Sequence, residues 1–498
     1  MNRSVHIAIG MALILSPGVY AGDPAAPAEV QTKLDSLEAQ NRALLERVTQ
    51  LEHKEGESWL NERRSEEVRA LVKEVLSDAD TRASLAEGGV TGGHDAKGFF
   101  LADEGGTFRL NIGGQIQARY IYDMRHNANK AGGGNPATDD NNKSGFEIRR
   151  ARLIFSGYVG DPKFSYLAQL RMDRNTGTAD MEIAQVTYKI SDTLSVSGGR
   201  MKDTFLREEF TADPVLTTVE RSLVNTVFTT DYVEGISFRW DASEMVRLTA
   251  GVNDGARSGN INSSAATNPN SPFKGFENSR SDVAFTGRAD LKLAGTWKQM
   301  EDFNAWSGEP LGVFLGGAAH YEVAQTGAGA GSPTTTTFRA NTDNFVTYTI
   351  DGSVEYQGLG VYGAFIGEHD QGTHGKPNLD SYGFLVQVNY MVIPDKLEPF
   401  IRYEHLAVDS GFAVGTDHAR PINELTAGAN YYFRRHASKF TLDVVWALDP
   451  LTPASTFGGA PFTVGAGPNG GLGSQGLLSD AHGESNQVTL RAQFQLMF

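Results

Sequence analysis

The stretch TFRLNIGGQIQARYIYDM, residues 107–124, alternates with a period of two. Phe108, Leu110, Ile112, Ile116, Ala118, Tyr120 and Tyr122 share one parity, and Arg109, Asn111, Gln115, Gln117, Arg119 and Asp123 share the other. Successive side chains of a strand point to opposite faces, so this segment has one greasy face and one wet face. That is the pattern of a strand with lipid on one side and a water-filled lumen on the other, aromatic toward the membrane rim. The alternation returns at 382–392 (Tyr382, Phe384, Val386, Val388, Tyr390) and at 440–448 (Phe440, Leu442, Val444, Trp446, Leu448). It closes the chain with Val488, Leu490, Ala492, Phe494, Leu496 and Phe498 on one face.

About sixteen such segments can be counted, starting near residues 107, 146, 163, 181, 193, 232, 244, 282, 311, 344, 358, 381, 397, 422, 439 and 487. The odd-numbered connections are long, as at 125–145, 202–231, 254–280, 325–341, 368–379, 409–420 and 449–486. The even-numbered ones are tight, as at Gly160-Asp161-Pro162, Ser191-Asp192, Asp241-Ala242-Ser243, Pro394-Asp395-Lys396 and His436-Ala437-Ser438. Sorting long loops to one side and short turns to the other is an outer-membrane arrangement that a soluble β-sandwich has no reason to adopt. Two connections break the rule: 174–180 is short for an outer loop and 294–310 is long for an inner turn. The expected fold is an all-β transmembrane barrel of about sixteen antiparallel strands over residues 95–498, preceded by a short N-terminal α-helical coiled coil.

Ahead of the barrel, Arg3 and the apolar run Val5 to Leu15 precede Val19-Tyr20-Ala21, the layout of a signal peptide cleaved after residue 21. The run is too short to span a bilayer, which needs about 20 residues. Residues 22–94 read as a periplasmic helical segment. Leu34, Leu37, Asn41, Leu44, Val48 and Leu51 alternate by three and four as a heptad seam, with Asn41 as a register-fixing polar position. Val68, Leu71, Val72 and Val75 form a second stripe, and Gly88-Gly89 and Gly92-Gly93 mark a flexible boundary. A monomeric helical hairpin is the alternative to self-association.

Bulk composition narrows the function. The 498 residues carry a net charge of −16 and no Cys, which argues against a nucleic-acid partner and excludes disulfides and thiolate metal sites. A mean hydropathy of −0.32 would count against a helical membrane protein, but a barrel exposes only alternate residues to lipid.

At GFEIRRARLIFSGYVG (145–160) the sequence resembles the second-strand motif of the phosphate-selective porin O and P family. The segment LREEFTADPVLTTVERSLVNTVF (206–228) resembles that family's long third loop, including Glu208-Glu209 and Glu220-Arg221-Ser222. The match is close over residues 95–260 and looser beyond, through strand rhythm and the terminal Phe498, which resembles the signal read by the barrel-assembly machinery. The resemblance implies a homotrimer of sixteen-stranded barrels in the outer-membrane lipid. It also implies a third loop folded into the lumen, and passive diffusion of small anions, phosphate among them, and polar solutes. It carries channel-lining roles onto Arg149, Arg150 and Arg152, and onto Arg221 of a constriction loop that also holds Arg207, Glu208, Glu209 and Glu220.

Parity gives its own answer. With Ala151, Leu153 and Phe155 toward lipid, Arg150 and Arg152 face the lumen, joined by Arg109, Arg119, Arg171, Lys189, Arg239 and Arg247. Confined guanidiniums attract oxyanions through forked hydrogen bonds. Arg149 takes the lipid parity, where a mid-bilayer charge costs about 2–4 kcal/mol, so it is expected at the outer interface or in a subunit contact. Against the cations stand Asp123, Asp173, Asp241, Asp351, Glu355, Glu404, Glu424 and Asp443, and residues 95–498 hold 34 basic against 45 acidic side chains. A non-selective or cation-preferring pore is therefore the alternative.

Signals for an enzyme are thin. Gly358 to Gly363 and Gly471 to Gly476 match a dinucleotide fingerprint by letter, but neither lies between a strand and a helix. His369, His374, Glu368 and Asp370 share a loop that could in principle bind a metal, though a solvated loop tip is the simpler reading. Adjacent Glu208 and Glu209 point apart on an extended chain and make a poor acid–base pair. No catalytic residue, cofactor or resident metal is expected. A barrel hydrolase and an envelope-tethering protein remain as competing hypotheses.

Overall fold

In the computed structural model, residues 36, 39–46, 89–95, 98–124, 142–172, 177, 179–255, 281–324, 342–372, 378–411, 413–414, 417–451, 475–477 and 486–498 are described. The chain divides into two units, Met1–Leu85 and Ala86–Phe498. In the first, residues 36 and 39–46 are helical. The signal-peptide reading and most of the heptad seam lie outside the described residues, as do His374 and Asp173.

The second unit is a closed antiparallel barrel of sixteen strands, numbered here from its first wall strand. They are β1 (Phe108–Met124), β2 (Asn142–Val159), β3 (Asp161–Met172), β4 (Ala179–Lys189) and β5 (Leu194–Lys202). Then come β6 (Tyr232–Asp241), β7 (Val246–Asn253), β8 (Ser281–Ala294), β9 (Gly312–Ala324), β10 (Thr342–Tyr356) and β11 (Leu359–Gly372). The last are β12 (Leu379–Tyr390), β13 (Leu397–Ala407), β14 (Ile422–Arg434), β15 (Ser438–Ala447) and β16 (Gln487–Met497). Each strand pairs with its neighbours in sequence, and β16 returns to β1, from Val488↔Met124 to Met497↔Gln115, leaving no open edge between first and last. The tight connections use left-handed backbone: Gln357 (φ 49°) and Gly358 (φ 88°) turn the β10–β11 hairpin. The Gly358 fingerprint is thus a hairpin turn.

The outer face is apolar, as the alternation requires. Ile116, Phe238, Ile350, Val386 and Leu442 are exposed there, and Tyr382 and Tyr390 stand outward near opposite ends of β12. Tyr120 leans on the exposed ring of Phe146, with centroids 4.8 Å apart.

Two departures from the sequence reading concern register. Gln117 pairs with Arg150 but Ala118 pairs with Ile148, so Arg149 is the extra residue of a β-bulge. A one-residue shift exchanges the faces. Above the bulge Phe146 and Ile148 point outward, and Glu147 turns inward to Arg119. The expectation that Arg149 sits at the lipid interface is therefore wrong: it is 2% exposed and faces the lumen. A second bulge, between Gln169↔Ile183 and Leu170↔Met181, turns Glu182 inward by the same device.

The Gly92-Gly93 pair is not a linker. It lies in the strand Val90–Asp95, which pairs with Gly98–Asp103. The second strand of this hairpin bonds to β1 at residues 109–112, just beyond where β16 stops. The N–H and C=O of Phe498 both pair with Gly114, so hairpin and C-terminus together complete the edge of β1.

Candidate channel and its infolded loop

Residues 203–231, between β5 and β6, enter the barrel and pack on its inner wall. Phe205, Leu206, Leu216, Leu223, Val224 and Phe228 are all buried. They meet lumen-facing Ala364, Ile366, Leu385, Leu406, Ile422 and Val445 in one apolar cluster. Each such side chain contributes roughly 1.5–3 kcal/mol on burial. Gly383 makes the contact possible, because a Cβ there would come within 2.9 Å of Val224.

Loop backbone leaving water needs partners, and the wall supplies them. Asn430 Nδ2 donates to the Thr217 carbonyl at 2.8 Å and Gln495 Nε2 to Pro214 at 2.9 Å. Lys439 Nζ donates to the Leu216 carbonyl at 2.5 Å. The short helix Leu223–Phe228 is capped by Ser222, which accepts from Asn225 N at 2.9 Å, and by Glu404 of β13, which accepts from Leu223 N and Val224 N.

The inner turn that sequence reading marked as too long also folds inward. Phe303, Asn304 and Trp306 are buried, with Phe303 against Tyr362 at 4.4 Å between centroids. Gly360 leaves room, since a Cβ there would lie 2.5 Å from the Phe303 carbonyl. Glu398 accepts from Asn304 (2.7 Å), Asn389 (2.8 Å), Asn430 (3.1 Å) and Tyr432 (2.6 Å). Loop and turn, entering from opposite ends, meet at Arg207.

Together they fill one side of the lumen. Inward residues of β13–β16 such as Glu398, Arg402, Thr426 and Arg491 have no exposure, whereas Gln169, Gln185, Ser197 and Thr249 of β3–β7 remain half-exposed. A cavity of about 530 Å³ lies along that open side, between the loop and β2–β7.

The predicted site residues fall into three groups. Arg119, Arg149 and Arg150 converge on Glu220 of the loop: Arg119 Nη1 at 2.8 Å, Arg149 Nη2 at 3.2 Å and Arg150 Nη2 at 2.9 Å. Burial alone would raise the Glu220 carboxyl; the facing guanidiniums of Arg149, Arg150 and Arg119 outweigh it and hold it well below the usual carboxylate range. Arg152 bridges Glu182 (2.7 Å) and Asp213. Arg171 stands beside Arg152 across the β2–β3 register.

The loop's own charges are occupied in holding it. Arg221 reaches Asp213, Glu209 (3.3 Å) and the carbonyls of Glu208 and Thr211. Glu209 also pairs with Lys202 at 2.9 Å, and Glu208 accepts from Ser222 N at 2.9 Å and from Arg402. Arg207 donates to Ser353 Oγ (2.6 Å) and to the carbonyls of Met300 and Asp302 (3.2 Å each), beneath Phe303, Phe314 and Tyr362.

Arg109 and Arg239 stand apart at the tight-turn end, against Asp95 and Asp241. Parity left Glu182 and Arg402 unassigned. What could have betrayed the packed half is the run of small and apolar residues on its wet face, Ala364, Ile366 and Leu385, opposite an apolar loop. Among the described residues no cluster of His, Asp and Glu could hold a metal; His369 pairs with Asp380 at 2.7 Å.

Comparison with known proteins agrees with this architecture. The family model described as phosphate-selective porin O and P matches residues 115–448. A search among curated proteins returned no match. Among solved structures, the anion-selective porin from Comamonas acidovorans superimposes with a TM-score of 0.50 at 10% identity, over 78% of this chain and 99% of that one. The outer-membrane expressed OmpT of Vibrio cholerae gives 0.47 at 11% identity, over 79% and 98%. At 10% identity the likeness to the Comamonas porin concerns the fold alone.

Proposed function

The chain belongs to the phosphate-selective porin O and P family, and from that premise we propose that small anions and small polar solutes diffuse passively through the open side of its barrel. The protein is an outer-membrane channel for small solutes, and family and barrel point to permeation rather than to an enzyme. The observation that carries the proposed path is the one-sided filling of the lumen, which leaves the cavity along β2–β7.

Arg152 lines that cavity, with Arg119, Arg149 and Arg150 buried against Glu220 of the loop; these cations support a preference for anions, and their pairing with Glu220 and Asp213 keeps it weak. The second reading, a non-selective pore, rests on the same pairing. Reversal potentials across a planar bilayer in a salt gradient decide: a modest anion bias is expected, and a cation bias would overturn the reading.

Assembly follows the family. We assign residues 1–21 to a cleaved leader, the helical segment to the periplasm and the working form to a homotrimer whose apolar belt meets outer-membrane lipid. Phe498 is assigned to recognition by the barrel-assembly machinery. A mature N-terminus at Gly22 and crosslinking to three chains are the expected results.

A further inference from the structure

We propose that the open half of the lumen is a binding track for neutral, ring-shaped polyols of mono- or disaccharide size, an inference that rests on the channel reading and narrows its solute class. The cavity's volume, about 530 Å³, falls within the range of small-molecule sites, about 300–1,000 Å³. Its chemistry is mixed in a particular way.

The charges that line it are committed to partners. Arg152 places its guanidinium against Glu182 on one side and Asp213 on the other. Lys202 donates to the Glu209 carbonyl at 2.7 Å and pairs with its carboxylate at 2.9 Å. Arg239 pairs with Asp241 at 3.3 Å. At Arg152 and Lys202 an oxyanion would have to displace a carboxylate already in place. Phosphate is served poorly by such a site.

Neutral hydrogen-bonding groups form the continuous part of the wall. Gln185 Nε2 donates to Thr187 Oγ1 at 3.2 Å, and Thr187 Oγ1 lies 2.8 Å from Ser197 Oγ across the next strand. Ser195, Ser237 and Thr249 extend the row toward the tight-turn end. Gln115, only 1% exposed, lines the same cavity, and among the described residues its Nε2 has no hydrogen-bond partner.

Between these polar groups stand Ile154, Leu167, Ile183, Phe210 and Tyr232. Apolar side chains on the wet face of a pore gain from a solute with an apolar face of its own. A pyranose ring offers that: C–H groups above and below, hydroxyls around the edge, and no charge. Inorganic phosphate has no apolar face, and an aromatic carboxylate would need a free cation.

The test is single-channel recording of the purified protein in planar bilayers, with maltose as probe. Millimolar maltose is expected to interrupt the potassium chloride current in a concentration-dependent way, while inorganic phosphate at matched ionic strength is not. The pair Thr187→Val and Ser197→Ala, which removes two hydroxyls at nearly constant volume, should raise the half-blocking concentration about tenfold, measured against the variant's own sugar-free current. A normal current that maltose does not touch overturns the inference and leaves the channel reading standing. Block by phosphate but not maltose overturns it in favour of an anion site. Absence of any conductance would remove the channel reading itself, and this inference with it.

Discussion

Arg149 and Glu220 face each other across the gap between barrel wall and infolded loop, with Arg149 Nη2 donating to Glu220 Oε2 at 3.2 Å and Nε to Oε1. Arg119 and Arg150 reach the same carboxylate, so one loop residue contacts three guanidiniums, of which Arg119 also pairs with Glu147 and Arg150 with Asp213. Replacing Glu220 removes its charge without moving the cations' strands. Glu220→Gln is expected to shift the reversal potential toward anions. Breaking a buried pair from one side costs roughly 3–5 kcal/mol, so the thermal transition should fall as well. An unchanged reversal potential would show that this cluster lies off the ion path.

The opposite change should have the opposite sign. Arg150 and Arg152 contact Glu220, Asp213 and Glu182, and replacing both with Ala strips two positive charges from beside the loop. Selectivity should move toward cations while conductance persists. Wild-type selectivity in the double variant would refute a role for this pair.

Acid should leave the Glu220 anchor in place. A carboxyl whose folded-state pKa is depressed adds stability that is present above its unfolded value and is lost only as pH falls through the folded one. Glu220 is depressed by its guanidinium neighbours against the effect of burial, so its contribution should survive mild acid. What Glu220 contributes to selectivity is expected to stay constant from pH 7 to about pH 5, where an ordinary carboxylate is still largely ionised. Glu208, raised by burial in spite of Arg402, and Asp231, pushed up to about 6 by burial and by Glu209, are the loop acids that should protonate before Glu220. A change of selectivity within that window, abolished by Glu208→Gln, would point to Glu208 as the controlling group.

Why the barrel could be read from sequence, and its lumen only in part, has a physical cause. Each strand has one face in lipid, and lipid enforces alternation locally, so strand starts near 107, 232, 397 and 422 coincide with β1, β6, β13 and β14. Nothing local reports the bulges at Arg149 and Glu182, because one added residue leaves composition unchanged while exchanging faces. The hairpin at 90–103 was hidden for another reason: Gly92-Gly93 gives it no alternating face. Lumen contacts are non-local, as between Glu208 and Arg402 or Arg207 and Ser353, and no spacing rule links such positions. The resemblance of 206–228 to the family's third loop pointed it inward, but could not say which side of the barrel the loop would cover.

That choice of side gives a prediction at Gly383. The loop helix Leu223–Phe228 sits so close to β12 that even a Cβ at Gly383 would meet Val224 at 2.9–3.1 Å and the His405 carbonyl at 3.1 Å. Gly383→Val should push the helix off the wall, toward the open half, and lower single-channel conductance. Equal conductance would mean that the helix is not seated there during permeation.

Arg207 supplies the most direct test of the packed half, because it ties together segments that enter from opposite ends. Its guanidinium serves Ser353 on the wall and the Met300 and Asp302 carbonyls of the inner turn, while its backbone belongs to the loop. Arg207→Met keeps the side chain's length and its packing against Phe303, Phe314 and Tyr362 but removes every donor. The carbonyls and Glu355, which lies 3.9 Å from Arg207 Nη2, then lose their cation in a site with little water. Hydrogen bonds to a charged group are worth about 1.5–3 kcal/mol each, so loop and turn should separate readily. Open-channel noise should rise, mean conductance should increase as the filled half loosens, and the thermal transition should fall. Arg207→Lys, which restores a charge but not the fork, should recover part of each effect. A Met variant as quiet and as narrow as wild type would show that the loop and the turn are each held without the other.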